Sequence, residues 1–256
     1  MFFDLFNAKR LESTPVTLID NNHDLVGCYE MVRDRPGDVI AALRDLESQY
    51  RAEGERHFYR VRDEQFNPQR ASSRKYTPEL AAMLIFLNRT GFNGLFRLNS
   101  RGGFNVPHGR YANPSICDED NITSVSAALE RSRTRVIRAS FDAVLDCART
   151  DDFVYFDPPY APVSPTSVFT SYTAEGFDGK DQQRLRDVVV ELVRRKCHVL
   201  LSNSTAPEIA KLYDTVSMRR LDIAAHKVPA RRAINSDPAA RGSVDEYLIT
   251  NIVPQV

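Results

Sequence analysis

The sequence contains no apolar run approaching the length of a membrane span, and no basic stretch leading into a hydrophobic one. Neither a membrane-spanning helix nor a secretory leader is expected from it. Its four cysteines, Cys28, Cys117, Cys147 and Cys197, are scattered, with no CxxC pair and no Cys/His cluster at zinc spacing. No structural metal is expected, and reduced cysteines in a cytoplasmic protein are. Internal repeats and low-complexity tracts are missing too. So is a net charge: 34 basic side chains balance 34 acidic ones, which taken over the whole chain argues against nucleic acid as a partner.

The distribution of charge says something different. From Arg51 to Arg110 there are eleven basic residues (Arg51, Arg56, Arg60, Arg62, Arg70, Arg74, Lys75, Arg89, Arg97, Arg101, Arg110) against five acids, and no acid lies between Glu79 and Asp118. A basic block flanked by acidic segments is the pattern of a phosphate-tracking surface, or of a solvated basic face. At 256 residues, 42% hydrophobic and 27% charged, the chain is long enough to bury a real core as one large domain, or one domain with an insert.

Periodicity organises the rest. Val16 to Ile19 is a short apolar run ending at Asp20, as in a buried strand. Asp24 to Arg33 has helical spacing, and Pro36-Gly37-Asp38 opens a second helix with Val39, Leu43 and Leu46 on one face. Thr77 and Pro78 suit the N-cap and first position of a helix running to about Asn88. Residues 90–115 have loop composition yet keep their aromatics, the mark of a working loop. Beyond residue 120, helical segments (Thr123–Arg131, Phe141–Ala148, Asp181–Arg195, Ala206–Tyr213) alternate with strands (Arg135–Ala139, Phe153–Phe156, Val199–Leu201, Tyr247–Thr250). That alternation predicts an α/β fold with a mainly parallel sheet.

Asp157-Pro158-Pro159-Tyr160 directly follows the strand Phe153–Phe156, where open α/β sheets bind ligands. Two prolines fix the backbone and remove two N–H donors, so the loop presents carbonyls between a carboxylate and an aromatic ring. An exocyclic amino group on a base is a poor nucleophile because its lone pair is delocalised. Asp157 carboxylate and the Pro158 carbonyl, accepting its two hydrogens, would free that lone pair. Tyr160 would stack on the base, which must leave the duplex to be reached. The tetrapeptide alone does not separate adenine, cytosine, RNA or protein-amide methylation.

The chain resembles the Dam-type DNA adenine-N6 methyltransferases over nearly its whole length. The resemblance rests on Leu18–Leu25, Phe92–Asn99, Gly103–Tyr111, Asp152–Tyr160, Phe169–Tyr172, Gly176-Phe177, Asp181-Gln182, Leu201–Asn203 and Glu246–Asn251, in that order. It implies a Rossmann-like, S-adenosyl-L-methionine-dependent methyltransferase sheet with an inserted, mainly helical DNA-recognition domain. Residues 1–50 would form part of the cofactor half, 51–115 the insert and 116–256 the catalytic half. It further implies catalysis by Asp157, Pro158, Pro159 and Tyr160, cofactor binding by Asp20, Phe141 and Asp157, no metal, and a monomer acting on double-stranded DNA at a GATC-like site. Phe92 matches the aromatic that enters the base stack. Asn93, Leu95, Arg97, Asn105 and Pro107 match the segment that reads or braces bases, and Arg101 and Arg110 suit phosphate contacts. Other roles stay open: Phe92 and Leu95 as core residues, Asp20 as a helix cap.

Two departures qualify the resemblance. The family's glycine-rich Phe-x-Gly-Gly-Gly turn, which packs on the methionine part of the cofactor, has no counterpart; Met1-Phe-Phe-Asp-Leu-Phe6 matches the helix after it. Ser140 also stands where the family often has an acid. Weak cofactor affinity is therefore expected of this chain, and a DNA-binding remnant without catalysis, or methylation of cytosine N4 or RNA, remains the alternative.

Overall fold

The computed structural model describes residues 1–11, 14–73, 75–163, 177–231 and 243–253. Arg74, the Phe169–Tyr172 match and Gly176 lie outside the described residues. The chain forms two compact units, Met1–Phe141 and Asp142–Val256.

The first unit is mainly helical. A short helix α1 (Phe2–Asn7) precedes β1 (Thr17–Asp20), which pairs in parallel with β2 (Arg135–Arg138). Between them run α2 (His23–Asp34), α3 (Pro36–Glu53), α4 (Glu55–Arg60), a π-helical turn (Val61–Phe66), α5 (Asn67–Ser72), α6 (Pro78–Thr90) and α7 (Glu119–Arg131). The capping chemistry is local. Asn22 accepts the amides of Asp24 and Leu25 at the start of α2, and Thr77 that of Leu80 at the start of α6, satisfying donors that have no partner inside a helix. Helix α6 is apolar nearly all round, with Ala81, Ala82, Phe86 and Leu87 fully buried, and it forms the middle of the core; a helix without a polar face must be surrounded. Val39, Leu43 and Leu46 of α3 pack into the same core, as their spacing predicts, together with Phe58, Val61 and Phe66. Residues 51–115 thus share one core with α2 and α3.

The second unit holds α8 (Val144–Cys147), β3 (Phe153–Phe156), α9 (Gly179–Arg194), β4 (His198–Ser204), α10 (Pro207–Tyr213), α11 (Val216–Arg219), β5 (Ala224–Arg231) and β6 (Ser243–Thr250). The strand order is β3-β4-β6-β5. Only β3 and β4 pair in parallel; β6 runs antiparallel to both β4 and β5. Helix α9 opens with a capping box between Asp178 and Asp181 and buries Leu185, Val188, Val189 and Leu192.

The architecture is mixed α/β, as predicted, but the strands differ from a single, mainly parallel sheet. Among the described residues they form two sheets, with two parallel and two antiparallel pairings. Strand β5 is absent from the sequence reading because Pro229 interrupts it and no alternation marks it. It lies at the sheet edge, where a residue without an N–H is tolerated.

Candidate catalytic loop and nucleic-acid interface

In the second unit, strand β3 delivers Asp157 to an exposed position, followed by the half-buried Pro158, Pro159 and Tyr160 and the buried Ala161. Ser202 Oγ, at the end of the neighbouring β4, donates to Asp157 Oδ1 at 2.8 Å. Asn203, fully buried, accepts the Ala161 amide through Oδ1 at 3.1 Å and donates through Nδ2 to Gln182 Oε1 at 3.0 Å. Gln182 of α9 in turn donates to the Pro159 carbonyl at 3.1 Å, and Ser204 Oγ donates to the Ala161 carbonyl at 2.6 Å. Parallel pairing of β3 with β4 places this polar strand end beside the Asp157–Ala161 loop, where it and Gln182 hold Asp157, Pro159 and Ala161. No donor among the described residues meets the Pro158 carbonyl, which leaves it and the second Asp157 oxygen as acceptors for something else. Tyr160 OH donates to Glu246 Oε2 of β6 at 3.1 Å. Burial pushes the Tyr160 phenol up to about 12.

In the first unit, Asp20 ends β1 with its side chain exposed. Its Oδ1 accepts the Asn22 amide at 2.7 Å. The helix cap is Asn22, not Asp20. Crowding at the strand end raises the Asp20 pKa, opposed by the Asn22 amide. Phe141 is half-buried at the end of this unit.

The expected DNA-reading residues all sit on one ordered segment. Phe92-Asn93-Gly94-Leu95 is a tight turn with Asn93 and Gly94 both at positive φ (53° and 60°), the conformation for which Asn-Gly is favoured. Phe92 is half exposed at 50%, so it is no core residue, whereas Leu95 packs partly against the core. The Phe92 amide donates to the Pro107 carbonyl at 2.9 Å, and Gly91 bridges His108. A side chain on Gly109 would strike the Gly91 backbone, its Cβ falling 2.9 Å from the carbonyl oxygen. Residues 97–105 form a small hairpin: Leu98 bridges Phe104, and Asn99 closes the turn with its side chain on the amides of Arg101 and Gly103. Arg97 lies across it, its Nε 2.8 Å from Asn105 Oδ1. Arg97, Arg101, Pro107 and Arg110 are exposed and Asn105 is half-buried.

Sequence reasoning missed the side chains that hold this segment. Tyr50 OH meets His108 Nε2 at 2.7 Å. Arg62 lies 4.6 Å over the Tyr59 ring and donates to the Val106 carbonyl at 3.0 Å. Asn67 pairs with both backbone groups of Phe104, and Arg51 donates to the Pro114 carbonyl at 3.0 Å. The basic block is therefore partly scaffold: Arg51, Arg60, Arg62 and Arg70 bond internally to carboxylates and carbonyls. Arg56, Lys75, Arg89, Arg97, Arg101 and Arg110 have no carboxylate partner among the described residues. Charge counting cannot distinguish the two groups; the aromatic-basic run Phe58-Tyr59-Arg60-Val61-Arg62 was the available signal.

The model of the D12 class N6 adenine-specific DNA methyltransferases matches residues 3–234. The chain belongs to that family. Relatives include the Type II methyltransferase M1.LlaDCHI of Lactococcus lactis subsp. cremoris, 36% identical over 98% of this chain and 82% of the relative. The Type II methyltransferase M.MjaIII of Methanocaldococcus jannaschii is 37% identical over 95% of this chain and 82% of its own length. The DNA adenine methylase of Escherichia coli K12 is 35% identical over 90% and 77%. Family membership makes the protein an adenine-specific DNA methyltransferase and sets aside cytosine N4 and RNA as target classes.

Proposed function

We propose that the protein methylates adenine N6 within a GATC-like site of duplex DNA, using S-adenosyl-L-methionine, with Asp157, Pro158, Pro159 and Tyr160 as the catalytic loop. The observation that carries this reading is the loop itself: an exposed carboxylate with one oxygen held by Ser202, and an adjacent carbonyl at Pro158 with no donor among the described residues. Those two acceptors suit the two hydrogens of an exocyclic amino group. Held there, the nitrogen is drawn towards tetrahedral geometry and its lone pair becomes available, a stabilisation set up before charge develops. Tyr160, tethered by Glu246, presents its ring to an extruded base.

The cofactor, when bound, supplies an electrophilic methyl group on a sulfonium. Asp20 suits its ribose hydroxyls: the residue sits at a strand end, one oxygen turned to Asn22 and the other with no partner among the described residues. The fit seen in these residues is to the nucleoside part.

Residues 51–115 act in this reading as the target-recognition segment, with Phe92 entering the stack, Arg97 and Pro107 facing base edges, and Arg101 and Arg110 on phosphates. The test is transfer of tritiated methyl from S-adenosyl-L-methionine to duplexes with and without GATC, with the Asp157→Ala variant alongside. Transfer restricted to GATC duplexes and lost in the variant is expected. Equal transfer to both duplexes would refute the site assignment, and transfer by the variant would refute the catalytic loop.

A further inference from the structure

Asp24, in the first turn of α2, is fully buried. Its Oδ2 receives Arg70 Nε at 2.6 Å, while Oδ1 meets no partner among the described residues. Arg70 comes from α5, and its side chain is 18% exposed. Its other arm, Nη1, donates to the carbonyl of Gly102. Gly102 stands at the tip of the 97–105 hairpin at φ 78°, its amide bonded to the Asn99 carbonyl at 2.8 Å. One guanidinium therefore joins the start of α2 to the tip of the hairpin. The link extends the other way as well: the Asp24 amide bonds to Asn22 Oδ1 at 2.9 Å, and the Asn22 amide to Asp20 Oδ1 at 2.7 Å.

Stability alone explains this arrangement poorly. A buried carboxylate with one oxygen unpaired carries a desolvation cost that its ion pair only partly offsets, and apolar residues of equal volume often serve a core as well or better. What a planar guanidinium adds is geometry, because its fork holds two acceptors in a fixed relative orientation, which a lysine ammonium does not.

We propose that Arg70 is a positioning residue for sequence recognition: it pins the Asn99–Gly103 turn to the buried Asp24 and so sets where Arg97, Arg101 and Asn105 meet the DNA. The proposal rests on the assignment of the hairpin to DNA reading. Arg70 touches no base itself; it removes a freedom that the hairpin would otherwise lose on binding.

The test uses the full chain. Its preferred duplex is selected from a random pool, and binding to that duplex and to a scrambled one is measured for wild type, Arg70→Lys and the double variant Asp24→Asn/Arg70→Met. Arg70→Lys keeps a positive charge beside Asp24 and loses the fork; the double variant removes the buried charge and the fork together. Both variants are expected to melt as cooperative proteins and bind scrambled DNA like wild type. Their preference for the selected duplex should fall by roughly tenfold, the scale of one well-placed contact. An unchanged preference in folded variants overturns the proposal, as does loss of folding in both, which would make the pair structural only. A wild-type chain that shows no preference overturns the hairpin assignment, and this proposal with it.

Discussion

In the proposed reaction the chemistry turns on Asp157, and its neighbours determine how well it is placed. Ser202 donates to one of its oxygens, so Ser202→Ala leaves the carboxylate free to rotate. A hydrogen bond to a carboxylate is worth about 1.5 to 3 kcal/mol, and single-turnover methyl transfer should slow by roughly tenfold to a hundredfold with DNA affinity unchanged. Weakened DNA binding with a normal rate would mean that Ser202 serves the fold rather than the carboxylate. Tyr160 allows a different check. Burial raises its phenol to about 12, and a raised phenol pKa means that the protonated, donating form persists into alkaline solution. Activity should therefore show no limb from Tyr160 below about pH 10, and Tyr160→Phe should lower the rate without reshaping the pH profile. A profile that moves in this variant would contradict the assignment.

At the scale of elements, the proposed recognition segment is held by α3, α4, the π turn and α5, and two histidines, His57 in that support and His108 in the segment it holds, carry a pH dependence. Burial lowers the pKa of both His57 and His108 from the ordinary 6.5. His57 Nδ1 faces the Arg60 guanidinium at 2.8 Å and must accept, which requires the neutral ring. For a histidine depressed in the folded state, the unfolded chain takes up the proton first. The contribution to stability is complete above the unfolded value and is lost as pH falls through the interval down to the folded one. Melting of the first unit should accordingly weaken as pH falls below the ordinary histidine value of 6.5, and His108→Gln should flatten that dependence; an equal slope in the variant would rule His108 out. Nearer β1, the Asn22 cap of α2 makes a simpler prediction. Asn22→Ala should cost about 1 kcal/mol in urea unfolding, while Asp20→Ala, which removes no helix cap, should cost less and act on cofactor binding instead.

For the whole molecule, the basic residues with no carboxylate partner among the described residues are the proposed electrostatic footprint. Each phosphate contact contributes about −0.9 to the slope of log affinity against log salt on duplex DNA. Arg101→Ala/Arg110→Ala should thus reduce the slope by about 2, whereas loss of an internally bonded arginine such as Arg60 should leave it unchanged.

Local signals in the sequence determined a good deal of this protein. The cap at Thr77-Pro78, the apolar stripes of α3 and α9 and the strand before Asp157 depend on residues a few positions apart, whereas the cap of α2 fell to Asn22 rather than to Asp20. The side chains meet the requirements of backbone groups and faces close by, which is why they are legible in one dimension. Only the tertiary structure decided the rest. It set β5 on an edge that tolerates Pro229, and divided the arginines of the basic block between scaffold and surface. It also brought Ser202 to Asp157, Glu246 to Tyr160, and Arg70 to both Asp24 and Gly102. Those partners lie 32 to 86 residues apart, and what selects them is burial and strand pairing across the fold, which no local spacing records.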